Sequence, residues 1–358
     1  MPTDPASPLP FACGARMKNR FMLAPLTNTQ SHPDGTLSDD EYRWLTMRAE
    51  GQFGLVMTCA AHVQARGQGF PGQLGIWGDH QLPGHRRLAA GIQAQGALAV
   101  VQLHHAGLRA PAELIGEPPV SPSGSPKHGA RALSLEEVEQ LREDFLAAAR
   151  RAQTAGYDGV EIHGAHGYIL TQFLSAEVNQ RTDRYGGSLA NRARLLYEIV
   201  ADIRDACGPD FLLGVRLSPE RFGMKLAEMK TIAQGLIDAG QVDFLDFSLW
   251  DCFKLPEEAD ETQVPLVEHV AHLDFKQIRW TAAGKIYTGA EVARVLAAGA
   301  DFVTLGRAGI LHHDFPARVM AEPDFVPVGL PVTAEYLRSE GLGEAFINYM
   351  RRWQGFVG

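Results

Sequence analysis

SLEEVEQLREDFLAAARRAQTAGYDGVEIHGAHGY (Ser134–Tyr168) carries the architecture of the chain in one repeat of helix, strand and loop. Ser134 with Glu137 three residues on is a capping-box signature for a helix start. The pattern then runs helically and should stop near Gly156, where glycine permits left-handed termination. Gly159–His163 follows as a near-continuous apolar run, the pattern of a parallel strand buried on both faces. His163, His166 and Tyr168 cluster where that strand runs out into the next loop.

The same unit recurs outward in both directions. Strands are predicted at Phe21–Leu26, Leu55–His62, Ala97–Leu103, Gly159–His163, Leu212–Ser218, Val242–Leu249, Arg279–Ala282 and Phe302–Gly306. Further helices are predicted at Leu189–Ala206, Ala227–Ala239 and Ala290–Ala298, the last two followed by glycine. Eight strands alternating with helices predict an α/β fold of (β/α)8 TIM-barrel type. A doubly wound sheet is the weaker alternative, because no dinucleotide fingerprint sits at the first strand–helix turn. Gly67–Gly72 matches GxGxxG, but it follows the second strand and contains Pro71 where a helix should open, so it is predicted to be a plain turn.

The 358 residues exceed a typical barrel by about 100. The surplus falls in the N-terminal lead-in, in 104–133, 164–188 and 250–274, and in a C-terminal tail from about residue 330. With no linker composition between them, 1–358 is expected to be a single domain, its long loops forming a lid and substrate wall on the C-terminal face.

Composition excludes several classes. Lysine and arginine total 33 against 42 acids, for a net charge of −9. An acidic chain without a basic block is a poor general binder of nucleic acid or of membrane surfaces. Cys13, Cys59, Cys207 and Cys252 form no CxxC pair or zinc spacing and are expected to be reduced thiols. MPTDPASPLP has no basic or apolar leader pattern, and no run of about 20 apolar residues occurs, so a cytoplasmic protein is expected.

Polar side chains gather at the predicted strand ends. Gln102 ends strand three, Arg216 ends strand five, Thr27 lies just past strand one and Ala60 near the end of strand two. Converging on a barrel mouth, they read as a ligand site. TAAGK (Thr281–Lys285) and TLGRAG (Thr304–Gly309) follow strands seven and eight, the recurrent phosphate position of such barrels. Gly284 and Gly306 let a phosphate approach the main chain, and Lys285 and Arg307 add positive charge. His163 and His166 with Glu161 would need further ligands at matching strand ends to hold a metal, so none is expected.

HGAHGYILTQFLSAEVNQRTDRYGGSLANR (His163–Arg192) resembles the signature of the old yellow enzyme family of FMN-dependent ene-reductases. APLT (Ala24–Thr27), QLGIWGD (Gln73–Asp79), VQLHHAG (Val101–Gly107), GVRLS (Gly214–Ser218) and LGRAGILHHDFP (Leu305–Pro316) extend the resemblance over nearly the whole chain in family order. It implies a barrel with FMN at its C-terminal mouth, reduced by NADH or NADPH. An α,β-unsaturated carbonyl or nitro compound then takes the donor's place in a ping-pong cycle. By that resemblance Ala24, Pro25, Leu26 and Ala60 would line the flavin ring and Thr27 would contact it near O4. Gln102 and Arg216 would hold the pyrimidine edge, and Gly284, Lys285, Gly306 and Arg307 the phosphate. His163 and His166 would bind the substrate oxygen, Tyr168 would protonate the α-carbon, and Thr29 would face the substrate. Many relatives carry cysteine at Thr27 and some carry tyrosine at Thr29. The tail YMRRWQGF (Tyr349–Phe356) resembles tails that reach a neighbouring subunit, which implies a homo-oligomer and assigns Arg351 or Arg352 to the neighbour's site. The competing readings are a metal-dependent barrel hydrolase or lyase using the same histidines, and a flavin-binding protein without catalysis.

Overall fold

The computed structural model describes residues 3–258 and 261–358. Eight parallel strands close into a barrel: β1 (Phe21–Leu23), β2 (Leu55–His62), β3 (Leu98–His104), β4 (Gly159–Gly164), β5 (Leu212–Leu217), β6 (Phe244–Ser248), β7 (Arg279–Ala283) and β8 (Phe302–Leu305). Neighbours in sequence are neighbours in the barrel, and β8 closes onto β1 with Val303 opposite Phe21 and Leu305 opposite Leu23. The predicted (β/α)8 barrel is therefore the observed fold.

The strand boundaries differ by a few residues, most at β1. The predicted strand to Leu26 stops at Leu23: Ala24 N–H makes a last bond to the Leu305 carbonyl at 2.9 Å, and Pro25 and Leu26 then leave the ladder to line the barrel mouth. Proline cannot donate to a ladder, which favours the early stop.

The helices pack around the strands: α1 (Asp39–Glu50), α2 (Leu82–Gln93), α3 (Leu135–Thr154), α4 (Leu189–Cys207), α5 (Leu226–Ala239), α6 (Leu266–Ala271), α7 (Gly289–Ala297), α8 (Arg307–Leu311), α9 (Phe315–Ala321), α10 (Ala334–Ser339) and α11 (Glu344–Met350). The capping box at α3 forms as predicted: Glu137 N–H donates to Ser134 Oγ at 3.2 Å, and Ser134 N–H donates to Glu137 Oε2 at 2.9 Å. One reading is corrected. The stretch 250–274 is not all irregular, since it contains α6; Ala259 and Asp260 within it lie outside the described residues, as do Met1 and Pro2. The Gly67–Gly72 stretch is a turn as predicted, and Phe70 within it reaches the barrel mouth.

Two apolar layers hold the barrel. Between strands and helices lies the main core. A second cluster plugs the N-terminal end, where the lead-in hairpin of Leu9–Pro10 and Arg16–Met17 sets Phe11 against Phe244 and Phe302, ring centroids 5.9 and 6.0 Å apart. Part of the surplus length thus closes the bottom of the barrel, and each buried ring removes area worth about 2 kcal/mol from water. With that end sealed, a ligand can enter only at the C-terminal mouth.

The tail is packed onto the barrel. Phe346 of α11 meets Trp44 of α1 edge-on at 4.9 Å, and Val332 pairs with Val357.

Candidate active site

A cavity of about 630 Å³ opens at the C-terminal ends of the strands, and every strand or the loop after it contributes to its wall. Ala24–Thr27 follow β1. A register shift between Met57 and Ala60 re-phases β2, and Ala60 joins the lining. Gln102 comes from β3, His163 from β4, Arg216 from β5, Ser248 from β6 and Thr304 from β8. Gly284 and Lys285 follow β7; Gly306 and Arg307 follow β8. All the site residues expected from the sequence line this one cavity except Thr29.

Thr29 has a φ of +56°, so the chain turns there, and its hydroxyl donates to the Ala345 carbonyl at 3.1 Å. It anchors the tail instead of facing the cavity. Arg351 and Arg352 are exposed and do not line the cavity either; Arg352 lies over the Tyr349 ring at 5.9 Å. The cavity wall takes Tyr349, Met350 and Trp353 from the tail of the same chain instead.

The loop after β4 holds His166 and Tyr168 in place by turning tightly. His166 and Gly167 have φ of +62° and +74°. A Cβ at Gly167 would come within 2.7 Å of the Phe222 ring, so only glycine fits beneath it. His166 N–H donates to Ser218 Oγ at 3.0 Å, and Ile169 N–H donates to the His105 carbonyl at 3.0 Å.

Hydrogen bonding assigns the histidine tautomers. His163 Nδ1 accepts from Ala165 N–H at 3.2 Å, which leaves its proton on Nε2. That N–H faces His166 Nδ1 at 3.3 Å, so the His166 proton is on its own Nε2, which donates to Ser248 Oγ at 2.6 Å. Both rings are neutral. Burial holds the His163 pKa well below its usual value, helped by His166 and Arg216; burial, Arg216 and Arg109 do the same for His166. The pair carries no charge, and in this structure its two N–H groups are engaged by His166 Nδ1 and Ser248 Oγ.

Tyr168 packs edge-on against His104 at 4.4 Å and His163 at 5.1 Å, with the Arg109 guanidinium 4.8 Å from its ring centroid. Arg109 itself donates to the His166 carbonyl at 2.6 Å. Burial raises the Tyr168 pKa, only partly offset by Arg109, so the phenol keeps its proton at neutral pH.

Arg216 is buried, with Nε 3.2 Å from Asp246 Oδ2. Gln102 donates to Glu161 Oε1 at 2.7 Å. Burial and Asp246 push the Glu161 carboxyl up to about 8, against the pull of Arg216, and burial likewise raises Asp246.

The remaining cations differ in their partners. Lys285 pairs with Asp251 at 3.0 Å, and Arg221 pairs with Glu257 at 2.8 Å. Among the described residues Arg307 has no carboxylate within ion-pair distance and lies over Tyr287 at 5.0 Å. An unpaired guanidinium beside the backbone of Gly284 and Gly306 suits the phosphate of a bound flavin nucleotide. Gln102 and Arg216, on adjacent sides of the floor, offer an amide and a cation for a polar ring edge. The residues present therefore fit FMN. No group of three or more His, Cys, Asp or Glu side chains among the described residues could hold a metal ion.

The rim is completed by Arg109 and Trp250, from loops expected to form the wall, and by Phe70, Arg221, Phe222, Ile286, Tyr287 and the tail residues, which were not singled out in the sequence. Arg221, Phe222 and Trp250 have φ of +71°, +55° and +64°, conformations that non-glycine residues rarely adopt and that no local pattern announces. Ser248 was also missed. Its signal was legible, as a hydroxyl at the end of strand six.

Residues 7–323 match the NADH:flavin oxidoreductase / NADH oxidase family. A probable NADH-dependent flavin oxidoreductase of Bacillus subtilis (strain 168) is 38% identical over 327 residues, covering 87% of this chain and 86% of the relative. The solved old yellow enzyme homologue from Zymomonas mobilis superposes with a TM-score of 0.79 at 28% identity, over 94% of this chain and 96% of its own. Morphinone reductase in complex with tetrahydroNAD gives 0.77 at 29% identity, over 98% and 95%. Among the described residues no helix is long and apolar enough to cross a membrane. Fold, cavity and relatives agree: the chain belongs to the NADH:flavin oxidoreductase / NADH oxidase family, is of old yellow enzyme type, and uses FMN with NADH or NADPH.

Proposed function

We propose that the protein is an ene-reductase, acting on the C=C bond of α,β-unsaturated carbonyl or nitro compounds. The observation that carries this reading is the neutral His163–His166 pair facing the same cavity as the protonated phenol of Tyr168. Bound FMN supplies the hydride, having received it from NADH or NADPH.

The rest is the work of this chain. Arg307, Lys285 and the backbone at Gly284 and Gly306 would hold the phosphate. Ala24, Pro25, Leu26, Thr27 and Ala60 would form the bed of the ring, with Gln102 and Arg216 at its pyrimidine edge. On substrate binding the Nε2–H groups of His163 and His166 would turn from His166 Nδ1 and Ser248 Oγ to the substrate carbonyl or nitro oxygen. As neutral donors they draw electron density toward that oxygen, so the β-carbon becomes electrophilic and the developing enolate is stabilised. Tyr168 would deliver its phenolic proton to the α-carbon, a transfer suited to a neutral acid. The phenolate left behind lies under Arg109 until solvent restores the proton. The tail from about residue 330 belongs to the same domain and encloses the site through Tyr349, Met350 and Trp353.

The test is anaerobic. Holoprotein reduced with one equivalent of NADH is mixed with 2-cyclohexenone or with a nitroalkene. Rapid return of the oxidised flavin absorbance, with the saturated product formed, supports the reading. A reduced protein reoxidised by oxygen but by neither alkene class contradicts it.

A further inference from the structure

Beneath the cavity floor lie two carboxylates for which the proposed reaction has no use. Glu161 on β4 and Asp246 on β6 are both 0% exposed. They share one cation, Arg216 on the strand between them. Glu161 Oε2 and Asp246 Oδ1 have no hydrogen-bond partner, and Asp246 Oδ2 has only the Arg216 Nε ion pair at 3.2 Å. The cross-strand neighbour of Glu161 on β5 is Gly214, where a Cβ would lie 2.1 Å from the Phe244 ring. The space over Gly214 is taken by that apolar ring, which offers neither carboxylate a hydrogen bond. Buried, unsatisfied carboxylate oxygens are costly, and their presence calls for a role.

We propose that Glu161 and Asp246 are a proton-accepting pair, taking up one proton from solvent when negative charge arrives in the cavity above Arg216. The proposal rests on this cavity being the flavin site. Hydride transfer from NAD(P)H would bring two electrons and one proton to FMN held there and add one net negative charge, the donor leaving as NAD(P)+. That charge competes with the pair for the single guanidinium. A carboxylate losing its counterion in a buried site then binds a proton and becomes a carboxylic acid. Arg216 is freed to serve the new charge, and no further oxidant or reductant is needed.

The groups facing the pair do not substitute for it. Gln102 on β3 and the hydroxyls of Thr281 and Thr304 on β7 and β8 do not titrate. His163 and His166 above Arg216 are held neutral, and the Cys252 thiol after β6 is kept protonated by burial and nearby acids. Within the pair, burial and Asp246 push Glu161 up to about 8, and burial raises Asp246.

The experiment is the midpoint potential of FMN in the holoprotein as a function of pH. Each proton taken up with two electrons contributes ~30 mV per pH unit, so the wild-type slope should steepen from ~30 to ~60 mV per unit above about pH 8. Glu161→Gln should keep FMN and hold the shallower slope throughout. A second measurement needs no variant. Hydride transfer from NADH consumes no solvent proton by itself, so an indicator dye in unbuffered solution above about pH 8 should report uptake approaching one proton per flavin. A straight wild-type line, equal steepening in Glu161→Gln, or zero uptake overturns the proposal. A protein that holds no FMN overturns the cavity reading along with it, whereas one that holds FMN on a straight line overturns the proton pair alone.

Discussion

Replacing Tyr168 with phenylalanine separates the proton donor from everything else in the site. The ring contacts to His104, His163 and Arg109 persist in Tyr168→Phe, and among the described residues the hydroxyl makes no hydrogen bond. Loss of stability should therefore stay within about 0.5 kcal/mol. General acid catalysis contributes roughly 10²–10⁴-fold, or about 2.7–5.4 kcal/mol of barrier at 1.36 kcal/mol per decade. Tyr168 is only half-buried at an open cavity, so water should partly replace its hydroxyl and the loss should fall near the lower end, about 100-fold. The assay is anaerobic stopped-flow absorbance of the flavin, run separately for reduction by NADH and for reoxidation by an enone. Reoxidation should slow by that factor while reduction changes less than about twofold, within the scatter of a surface substitution. Equal losses in both half-reactions, or none in reoxidation, would refute the assignment.

Other outcomes follow from the same geometry. Removing one histidine donor in His166→Ala should weaken a phenolate-type ligand by about 10–100-fold, the worth of one charge-assisted hydrogen bond, as read by the perturbation of the flavin spectrum. Unchanged affinity would take His166 out of oxyanion recognition. Arg307→Ala should weaken FMN by about 10–100-fold and leave riboflavin affinity unaltered; parallel losses for both would move the phosphate elsewhere. The buried His62 and His85 are lowered to about 4 by desolvation. Unfolded imidazoles bind protons from about pH 6.5 downward, so the folded state keeps this stability above pH 6.5 and loses it as pH falls toward 4. At pH 5 the loss is about 2 kcal/mol for each, and the melting temperature should drop steeply from pH 7 to pH 5. A flat profile would contradict their neutral burial.

Much of this was legible in the sequence because it is local. A strand buried on both faces must be an apolar run, and polar residues at its end stand out against it, as Gln102, His163 and Arg216 do. The capping box at Ser134 is legible for the same reason, since its partners are three residues apart. What was missed depends on the chain returning from a distance. Tyr349, Met350 and Trp353 reach the cavity only because α11 docks on Trp44. Thr29 was misplaced because resemblance aligns a position without its backbone, and at φ +56° the side chain turns toward Ala345. The loops after β3, β4 and β6, expected to form the wall, contribute Arg109, His166, Tyr168 and Trp250 to it. The lead-in seals the bottom, while the loops after β5 and β7 and the tail supply much of the wall.

The most direct measurement uses isotopes. Wild-type holoprotein is reduced with NADH deuterated at the transferred position and mixed anaerobically with an enone in ordinary water. The account predicts deuterium at the β-carbon of the saturated product and a solvent-derived hydrogen at the α-carbon. Deuterium at the carbonyl carbon, or an alkene recovered unchanged while the flavin reoxidises, would contradict it.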